Sequence, residues 1–482
     1  MSNDILKKAY ETDSFRAIGH EVIDLLADHI ENVQTNRDHP VLSYQSPEDV
    51  HAYWQEDFSS DSGIMDVFRN ILNQSINVHH PRYIGHQVAV PAFISSLAGL
   101  MSDLLSNGTG VYEMGMAANA IERVVTDLVA KKIGYTQKAL GLLTSGGTLA
   151  NLTALLAARK AKGPSSVWEK GHQEKLAIMV SQEAHYCIDR AARILGFGDD
   201  GIIKVPVNED FSIDTRELDQ CLNSAKAKGL HVIALIGCAC STATGSYDDL
   251  NALSIFAEQN DLWFHVDGAH GGGVVFSEKY KHLVEGIAKA DSVVIDFHKM
   301  LMTPALNTGL IFKNAEDSYR TFEQKAQYLW DSQHTREWYN SGKRTFECTK
   351  LMMSIKIYAI LKAHGEDIFE KNIDTLYDLA IVFADKIKQN KNFELAHDPQ
   401  ANIVNFRYIA TSDVDINSIN NGVRQILVES GKFYIVQTTI GEHRYLRTTI
   451  MNPFTNEKDF DALLNEIEMI AKRLEHKKKV SI

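Results

Sequence analysis

Apolar residues recur along this chain with two different spacings, and the change of spacing divides it into segments. From Ala17 to Val33, and again from Ser62 to Ile76, apolar side chains return with the period of a helix. This spacing is typical of amphipathic helices that bury one face. We therefore predict a helical N-terminal arm over residues 1–78.

Between about Gly85 and Phe312 the pattern changes to short apolar runs that alternate with helical segments. Such alternation is typical of an α/β domain, in which a mostly parallel sheet carries helices on both faces. The predicted strands are Leu176–Val180, Ile202–Val205, Val232–Ile236, Leu262–Val266 and Ser292–Ile295. We predict that this large domain spans residues 79–350.

The last part of the chain mixes long helical patterns with isolated strands, which predicts a small α+β domain over residues 351–482. The predicted helices are Phe346–Lys362, Ile373–Gln389 and Asn456–Leu474. The predicted strands are Asn402–Tyr408, Phe433–Thr439 and Tyr445–Met451.

Composition narrows the classes of function. The chain has 482 residues with a net charge of -13, which argues against a nucleic-acid partner. Five cysteines are too few and too scattered for a disulfide framework. The apolar stretch Tyr83–Leu105 is interrupted by polar residues and proline, and the N-terminus lacks the pattern of a signal peptide. We expect a cytoplasmic protein with no membrane partner.

A glycine turn is the first candidate for a binding site. In Leu143–Arg159 a short strand runs into Ser145-Gly146-Gly147-Thr148, and an Ala/Leu-rich helix begins at once. Glycines let backbone N–H groups approach an anion, and a helix N-terminus favours negative charge. We expect a phosphate group at Gly146, Gly147 and Thr148, with an ordinary tight turn as the alternative.

The second candidate is Asp267, which ends the apolar strand of L-W-F-H-V-D-G-A-H-G-G-G. A buried carboxylate is costly unless it meets a positive partner, such as a protonated pyridine nitrogen. A metal site formed by His265, Asp267 and His270 is the competing interpretation. Glycines stand where a third firm ligand is needed, so we predict that no metal is bound.

The third candidate is Lys299, which follows His298 and the apolar strand Val293–Phe297. Most lysines are solvated surface residues, but a desolvated lysine can form an imine. Between Asp267 and Lys299 there is room for one helix, Leu283–Lys289, and one strand, so both side chains emerge at the same sheet edge. We predict that pyridoxal 5'-phosphate is held as a Schiff base on Lys299, with Asp267 at its ring nitrogen.

These segments, in this order, resemble the group II decarboxylases of the fold type I pyridoxal-phosphate superfamily. The likeness spans roughly His79–Leu474, and it is carried by H-V-D-G-A-H-G-G, D-F-H-K-M and the glycine turn. It implies the fold type I architecture and the α-decarboxylation of an L-amino acid to an amine and carbon dioxide.

The resemblance also implies roles for individual residues. His185 is expected to stack on one face of the cofactor ring and Ala269 to pack under the other. Thr242 is expected close to the cofactor, although Cys240-Ser241 replaces the usual Gly-Thr pair before it. His298 matches the histidine that precedes the lysine.

Two further residues are expected to act on the substrate. Arg447 resembles the small-domain arginine that binds the α-carboxylate. Tyr339, in E-W-Y-N-S-G-K-R-T-F, matches the loop tyrosine that protonates Cα. The N-terminal arm carries apolar stripes that a short hairpin cannot bury, which indicates an interface. By the resemblance, the arms clasp across a homodimer and Tyr339 reaches the partner's cofactor.

The substrate stays open at the level of sequence. The segments His80–His86 and Lys299–Ala305 look most like the branch that acts on 2,4-diaminobutyrate and related diamino acids. Candidate contacts are Glu113 or Glu347 for a distal ammonium, Arg82, Lys343 or Arg344 for an acidic substrate such as glutamate or aspartate, and Trp338 with Tyr83 for an aromatic one. A transaminase, an aldehyde synthase and a catalytically inactive binding protein are the other functional alternatives.

Overall fold

The structure is a computed structural model that describes residues 2–322, 336–409 and 415–480. The strands in these ranges are β1 Leu140–Thr144, β2 Lys175–Ser181, β3 Ile202–Val205, β4 Leu230–Cys238, β5 Trp263–Asp267, β6 Ser292–Asp296, β7 Thr308–Phe312, β8 Phe393–Leu395, β9 Ile403–Tyr408, β10 Val436–Ile440 and β11 His443–Thr449. The helices are α1 Ser2–Ala9, α2 Thr12–Thr35, α3 Pro47–Phe58, α4 Ile64–Asn73, α5 Phe93–Leu105, α6 Tyr112–Ile133, α7 Gly147–Lys162, α8 Val167–Lys170, α9 Tyr186–Ile194, α10 Leu218–Ala227, α11 Leu250–Gln259, α12 Ala315–Thr321, α13 Met353–His364, α14 Asp367–Gln389, α15 Ile416–Ser430 and α16 Glu457–Val480.

The chain forms two compact units. The first, here called the terminal unit, contains Met1–His86, Asp385–Ala396 and Asn405–Ile482. The second, here called the sheet unit, contains Gln87–Ala384 and His397–Val404. The three domains predicted from the sequence, residues 1–78, 79–350 and 351–482, stay a prediction.

A seven-stranded sheet with the order β1-β7-β6-β5-β4-β2-β3 forms the centre of the sheet unit. Strands β2 to β6 pair in parallel with one another, whereas β7 lies antiparallel between β1 and β6. The five strands predicted from the sequence are all present, and the mostly parallel α/β fold is confirmed. Their near-continuous apolar sequences follow from burial on both faces of the sheet.

Helix α7 packs closely on the sheet because its inward face carries small side chains. Ala150, Ala154 and Ala158 are fully buried against strand residues such as Ile236 and Val294. The helix contacts β1 and β4 to β7. This packing fixes the first turn of α7 beside the carboxyl ends of the central strands, where open α/β sheets place their ligands.

Two predicted helices differ from those observed. The segment Leu283–Lys289 contains two separate 3₁₀ turns, because Gly286 between them adopts the left-handed conformation (φ 95°). The helix predicted from Phe346 begins only at Met353. Residue Lys350 cannot join it, since its carbonyl accepts from the amide of Thr109 and its ammonium group is bound elsewhere.

The terminal unit holds helices α1 to α4, α15 and α16 and most of a second, four-stranded sheet with the order β10-β11-β9-β8. The small α+β region predicted at the C-terminus therefore contains the expected kinds of element. Across the parts of the chain that the structure describes, no helix has an apolar stretch long enough to cross a bilayer.

Two adjacent histidines of the terminal unit make its stability sensitive to acid. Burial lowers the pKa of His80 to about 4, with Arg82 and Arg37 adding to the effect. Burial also lowers the pKa of His79 to about 4, with a contribution from His29. Both side chains are therefore neutral in the folded protein at pH values where an unfolded histidine, with a pKa of about 6.5, is already charged.

We expect the free energy of unfolding to fall as the pH drops from about 6.5 towards 4, because the unfolded chain then binds more protons than the native one. Urea unfolding at several pH values measures this slope. His80→Asn retains an acceptor for the amide of Arg82 and should flatten the slope, whereas His51→Asn, at an exposed helix position, should not. Parallel pH profiles for wild type and His80→Asn would contradict the assignment.

Candidate active site

Lys299 lies just beyond the end of β6, where an acidic side chain of the same segment holds it. Its Nζ is 3.1 Å from Oδ2 of Asp296, and the two side chains are 17% and 3% exposed. Oδ1 of Asp296 accepts a hydrogen bond from the hydroxyl of Thr308 on β7. The Nε2 atom of His298 lies 3.6 Å from Oδ2 of Asp296. The lysine amine is thus largely shielded from water and fixed by an ion pair.

Asp267 ends the neighbouring strand β5 and is buried. Its Oδ1 accepts from the amide of Ala269 (3.2 Å), and its Oδ2 accepts from Nδ2 of Asn151 (3.1 Å). Across the described ranges, no lysine, arginine or histidine lies within ion-pair distance of this carboxylate. A buried carboxylate without a cationic partner is costly, so the site favours a bound cation at this point.

A chain of hydrogen bonds behind Asp267 fixes the orientation of Asn151. The ring of His265 contacts Asn151 Oδ1 through Nε2 (2.8 Å) and Ser292 Oγ through Nδ1 (2.8 Å). Burial lowers the pKa of His265 to about 4, so the ring is neutral at pH 7. Assigning the proton to Nε2 makes the histidine a donor to Asn151 Oδ1, which turns the amide N–H group of Asn151 towards Asp267.

The histidines considered as metal ligands form hydrogen bonds with other protein groups. His265 engages both ring nitrogens in the chain just described, and Nε2 of His270 contacts Oδ1 of Asn402 at 2.6 Å. Within residues 2–322, 336–409 and 415–480, no group of three or more His, Cys, Asp or Glu side chains is arranged to hold a metal ion.

The glycine turn connects β1 to α7 and meets the other two segments. Gly146 has φ 116°, a conformation that strains any residue with a Cβ. Its carbonyl accepts the amides of Leu149 and Ala150, so the amides of Gly147 and Thr148 precede the first hydrogen bonds of the helix. A Cβ on Gly147 would lie 3.3 and 3.4 Å from the oxygens of Asp296, and 3.4 Å from Ala269 Cβ.

His185 lies immediately before α9 and caps it, since its Nδ1 accepts from the amide of Cys187 at 3.3 Å. Its pKa is lowered, chiefly by burial, while Asp267 and Asp296 act in the opposite direction and Lys299 in the same one. The imidazole is therefore near all three charged groups, as expected for a residue of this site. Thr242 lies in the turn after β4, the strand beside β5.

These groups fit pyridoxal 5'-phosphate. Lys299 supplies an amine for a covalent link, and the unpaired carboxylate of Asp267 matches a protonated pyridine nitrogen. The free amides at the start of α7 match a phosphate group. Ala269 and His185 border the same region, where the resemblance expects the two faces of the ring.

Tyr339 contacts a different set of residues from those that surround Lys299 and Asp267. Its carbonyl accepts from Nδ2 of Asn119, and its ring contacts those of Tyr112 and Trp338 edge-on. In the described part of the chain, no hydrogen bond or ring contact joins Tyr339 to Lys299 or Asp267. The expected role of Tyr339 stays a prediction.

Arg447 and Tyr83 belong to the terminal unit. Arg447 is buried on β11, opposite Val436 of β10. The ring of Tyr83 stacks on Tyr434, with centroids 5.5 Å apart, and burial raises the pKa of its phenol group. Their expected roles in substrate binding stay predictions.

Three polar residues of the site were not singled out from the sequence. Asn151 orients Asp267, Ser292 orients His265, and Asp296 pairs with Lys299. Asn151 sits on the helix that follows the glycine turn, one turn beyond Gly147, which is a usable sequence signal. Asp296 precedes Lys299 by three residues in D-F-H-K-M, so its position is also a usable sequence signal.

Comparisons of this chain with known proteins agree on one family. A family model described as the pyridoxal-dependent decarboxylase conserved domain matches residues 46–409. The chain is 30% identical over 451 residues to aspartate 1-decarboxylase of Aliivibrio fischeri, covering 83% of this chain and 81% of that protein. It is 26% identical over 439 residues to L-2,4-diaminobutyrate decarboxylase of Acinetobacter baumannii, covering 87% and 86%.

Among solved structures, tryptophan decarboxylase of Catharanthus roseus in complex with L-tryptophan matches with a TM-score of 0.85 at 20% identity, over 96% of this chain and 99% of that one. At that identity the match establishes the fold alone. The site geometry and the family match over residues 46–409 lead to one conclusion. This chain belongs to the pyridoxal-dependent decarboxylase family, and it is a carboxy-lyase with pyridoxal 5'-phosphate as its cofactor.

Proposed function

We propose that this enzyme decarboxylates an L-amino acid with a second, distal amino group, such as L-2,4-diaminobutyrate, to the corresponding amine and carbon dioxide. The choice of a diamino substrate rests on the contacts of Glu347. Its Oε1 accepts a hydrogen bond from the hydroxyl of Ser145, the residue that opens the glycine turn. Its Oε2 is shielded from water and has no hydrogen-bond partner among the described residues. A distal ammonium group would satisfy that oxygen.

The cations considered for an acidic substrate are already engaged. Arg344 is buried and donates to the carbonyls of Gly141 and Trp338 and to the hydroxyl of Ser318. Lys343 forms an ion pair with Glu337 at 2.9 Å. In the terminal unit, Arg82 is bound to Asp459 and stacks on Phe433. Each would have to give up existing contacts to bind a second carboxylate.

The relatives leave acidic and aromatic substrates as alternatives. The Aliivibrio relative is named for aspartate, the Acinetobacter relative for 2,4-diaminobutyrate and the Catharanthus structure for tryptophan. Trp338 is 36% exposed, so it has surface to offer an aromatic substrate. An aldehyde synthase or a transaminase would use the same cofactor site. A panel of acidic, aromatic and diamino L-amino acids, with product identified, separates these activities.

Each residue of the site has a separate role in the proposed chemistry. When bound, pyridoxal phosphate supplies the electron sink for the bond to the departing carboxylate. Asp267 stabilises positive charge at the ring nitrogen, Lys299 holds the cofactor covalently, and Gly146, Gly147 and Thr148 bind its phosphate. Thr242 and His298 complete the cofactor's surroundings. His185 and Ala269 enclose the ring, Arg447 binds the α-carboxylate and Tyr339 returns a proton to Cα.

We also propose a homodimer that shares its active sites. In the sheet unit, helix α5 exposes a row of large apolar side chains: Phe93, Leu97, Leu100, Met101, Leu104 and Leu105. At the start of α6, Tyr112, Met114 and Met116 are exposed as well, and Tyr112 contacts Tyr339. Exposed apolar surface of this extent favours association. A second copy on this surface would lie next to Tyr339.

The N-terminal arm gives the same indication independently. Helix α2 spans Thr12–Thr35, yet Val33 is its only buried residue, while Phe15, Ile18, Ile23 and Leu26 are exposed. A helix with an apolar face usually buries that face, and the described part of its own chain does not cover this one. A second copy of the chain is the proposed cover.

The cysteines support a reducing compartment, and we place the enzyme in the cytoplasm. All five are free thiols in the structure, and Cys348 is exposed. Burial raises the pKa of the Cys187 thiol, near the site, to about 12, so it stays protonated and inert.

Lys299→Ala should abolish the covalent link to the cofactor, because among the described lysines Lys299 is the one held by Asp296 beside the glycine turn. The wild-type protein should show a visible absorption band that borohydride removes, with the reduced cofactor mapped to the peptide that contains Lys299. Lys350→Met provides a control at another buried lysine. Cofactor trapped on a lysine other than Lys299 would contradict the site.

Tyr339→Phe should retain cofactor binding and loss of carbon dioxide but return less protonated product. Molecular oxygen would then react with the decarboxylated substrate in place of the proton, so aldehyde and ammonia should rise at the expense of amine, with oxygen reduced to hydrogen peroxide. Tyr328→Phe is the matched control, since Tyr328 is the preceding tyrosine in the sequence, outside the described residues. A shift of products in Tyr328→Phe alone would move the proton donor to that tyrosine.

Mixed dimers test whether Tyr339 acts across the two chains. Tyr339→Phe combined with Lys299→Ala should regain amine production, because one of the two sites then contains both an intact lysine and an intact tyrosine. Amine formation is measured after subunit exchange has been shown with differently tagged chains. If exchange occurs and no amine appears, the shared-site proposal is wrong.

Glu347→Gln should raise the KM for diamino substrates at least about tenfold, since a charge-assisted hydrogen bond is replaced by a neutral one. The substitution should leave the spectrum of the bound cofactor unchanged. Glu113→Gln, at the exposed start of α6, is the control. Equal effects of the two substitutions, or a preference of the wild type for aspartate, would refute the substrate proposal.

A further inference from the structure

Asp296 is the one acidic side chain that lies between Lys299 and the glycine turn in the described structure. Its Oδ2 is 3.1 Å from the lysine Nζ. Both carboxylate oxygens pack against Gly147, at 3.3 and 3.4 Å from the position of a Cβ there. The side chain is 3% exposed, so little water screens its charge.

Among the described residues, Lys299 is the cationic side chain nearest to the carboxylate of Asp296. Thr308, the other direct partner, is a neutral hydroxyl. His298 lies 3.6 Å away through Nε2, and its Nδ1 is 3.0 Å from the amide nitrogen and 2.9 Å from the carbonyl oxygen of Asn307. Burial lowers the pKa of His185 although Asp296 raises it, so His185 is a poor source of positive charge, and burial raises the pKa of the Cys187 thiol to about 12. Lys299 is therefore the principal countercharge of this carboxylate.

We propose that Asp296 limits how tightly this enzyme holds its cofactor. The carboxylate positions and compensates the Lys299 ammonium before the cofactor binds. Once Lys299 is bonded to the cofactor, the Asp296 carboxylate faces the phosphate group at the amides of Gly147 and Thr148. The two negative charges then oppose each other in a poorly screened space. This inference rests on the proposed phosphate position at the glycine turn.

The proposal predicts a specific difference between two ligands that differ only in the phosphate group. Replacing the carboxylate by a neutral amide should strengthen the binding of pyridoxal phosphate, because the repulsion is gone. The binding of pyridoxal should gain less, because for that ligand only the ion pair between Asp296 and Lys299 is removed. Unit charges a few ångströms beyond contact, at the effective dielectric constant of a protein, correspond to a change on the order of tenfold or more.

Dissociation constants are measured on full-length protein freed of cofactor, by fluorescence quenching with pyridoxal phosphate and with pyridoxal. The variants are Asp296→Asn, Lys299→Ala and the double substitution, with Asp296→Ser as a second neutral replacement should the first not fold. Asp291→Asn is the control, because it removes a negative charge just before the opposite end of β6. In the Lys299→Ala background there is no ion pair to lose, so there Asp296→Asn should strengthen the binding of pyridoxal phosphate and leave that of pyridoxal unchanged.

A larger gain for pyridoxal phosphate than for pyridoxal in Asp296→Asn, with a gain for pyridoxal phosphate that persists without Lys299, supports the proposal. Equal changes for both ligands would contradict it, since Asp296 would then act only through the lysine. Weaker binding of pyridoxal phosphate in Asp296→Asn would also contradict it, because the carboxyl group would then be holding the phosphate. A wild-type protein that binds neither ligand would contradict the proposed function itself, and this inference with it.

Discussion

The burial of the Asp267 carboxylate is the constraint on which the rest of the site depends. A charged group at the end of an apolar strand needs a partner of opposite charge, and the described chain offers it only two neutral donors, Asn151 and the amide of Ala269. These hydrogen bonds orient the carboxylate, but neutral donors do not balance its charge. We propose that the cofactor's ring nitrogen completes this arrangement, which makes protein and cofactor chemically interdependent.

Sheet topology explains how residues far apart in sequence serve that carboxylate. Strands β5 and β6 are parallel neighbours, so Asp267 and the segment that carries Lys299 leave the sheet at the same edge. Helix α7 crosses both strands on a face of small side chains, which brings Asn151 to Asp267 and Gly147 to Asp296. The His265 ring forms hydrogen bonds with Ser292 and Asn151, so it connects the interior of β5 to the site. The contacts of Asn151 and Gly147 therefore depend on close packing of α7 against the sheet.

The sequence predicted the alternation of strands and helices because burial on both faces leaves continuous apolar runs. It predicted Lys299, Asp267 and the glycine turn because a charged or glycine-rich strand end is unusual. It did not reveal Asn151 or Asp296, since an isolated polar residue on a helix or strand has no pattern until its neighbour is known. It placed a helix at Leu283–Lys289, because the left-handed conformation of Gly286 is a tertiary feature. Substrate choice also stays a proposal, because the candidate side chains of every class are present.

The turnover of Asp267→Asn measures the central claim most directly. Asparagine preserves the shape and a hydrogen bond but cannot balance positive charge on the ring nitrogen. Since the loss of a main electrostatic contribution costs about 10² to 10³ in rate or more, decarboxylation should fall at least that far. Borohydride should still attach the cofactor to Lys299, which shows that the site is intact. Turnover close to that of the wild type, with the cofactor bound, would contradict the account.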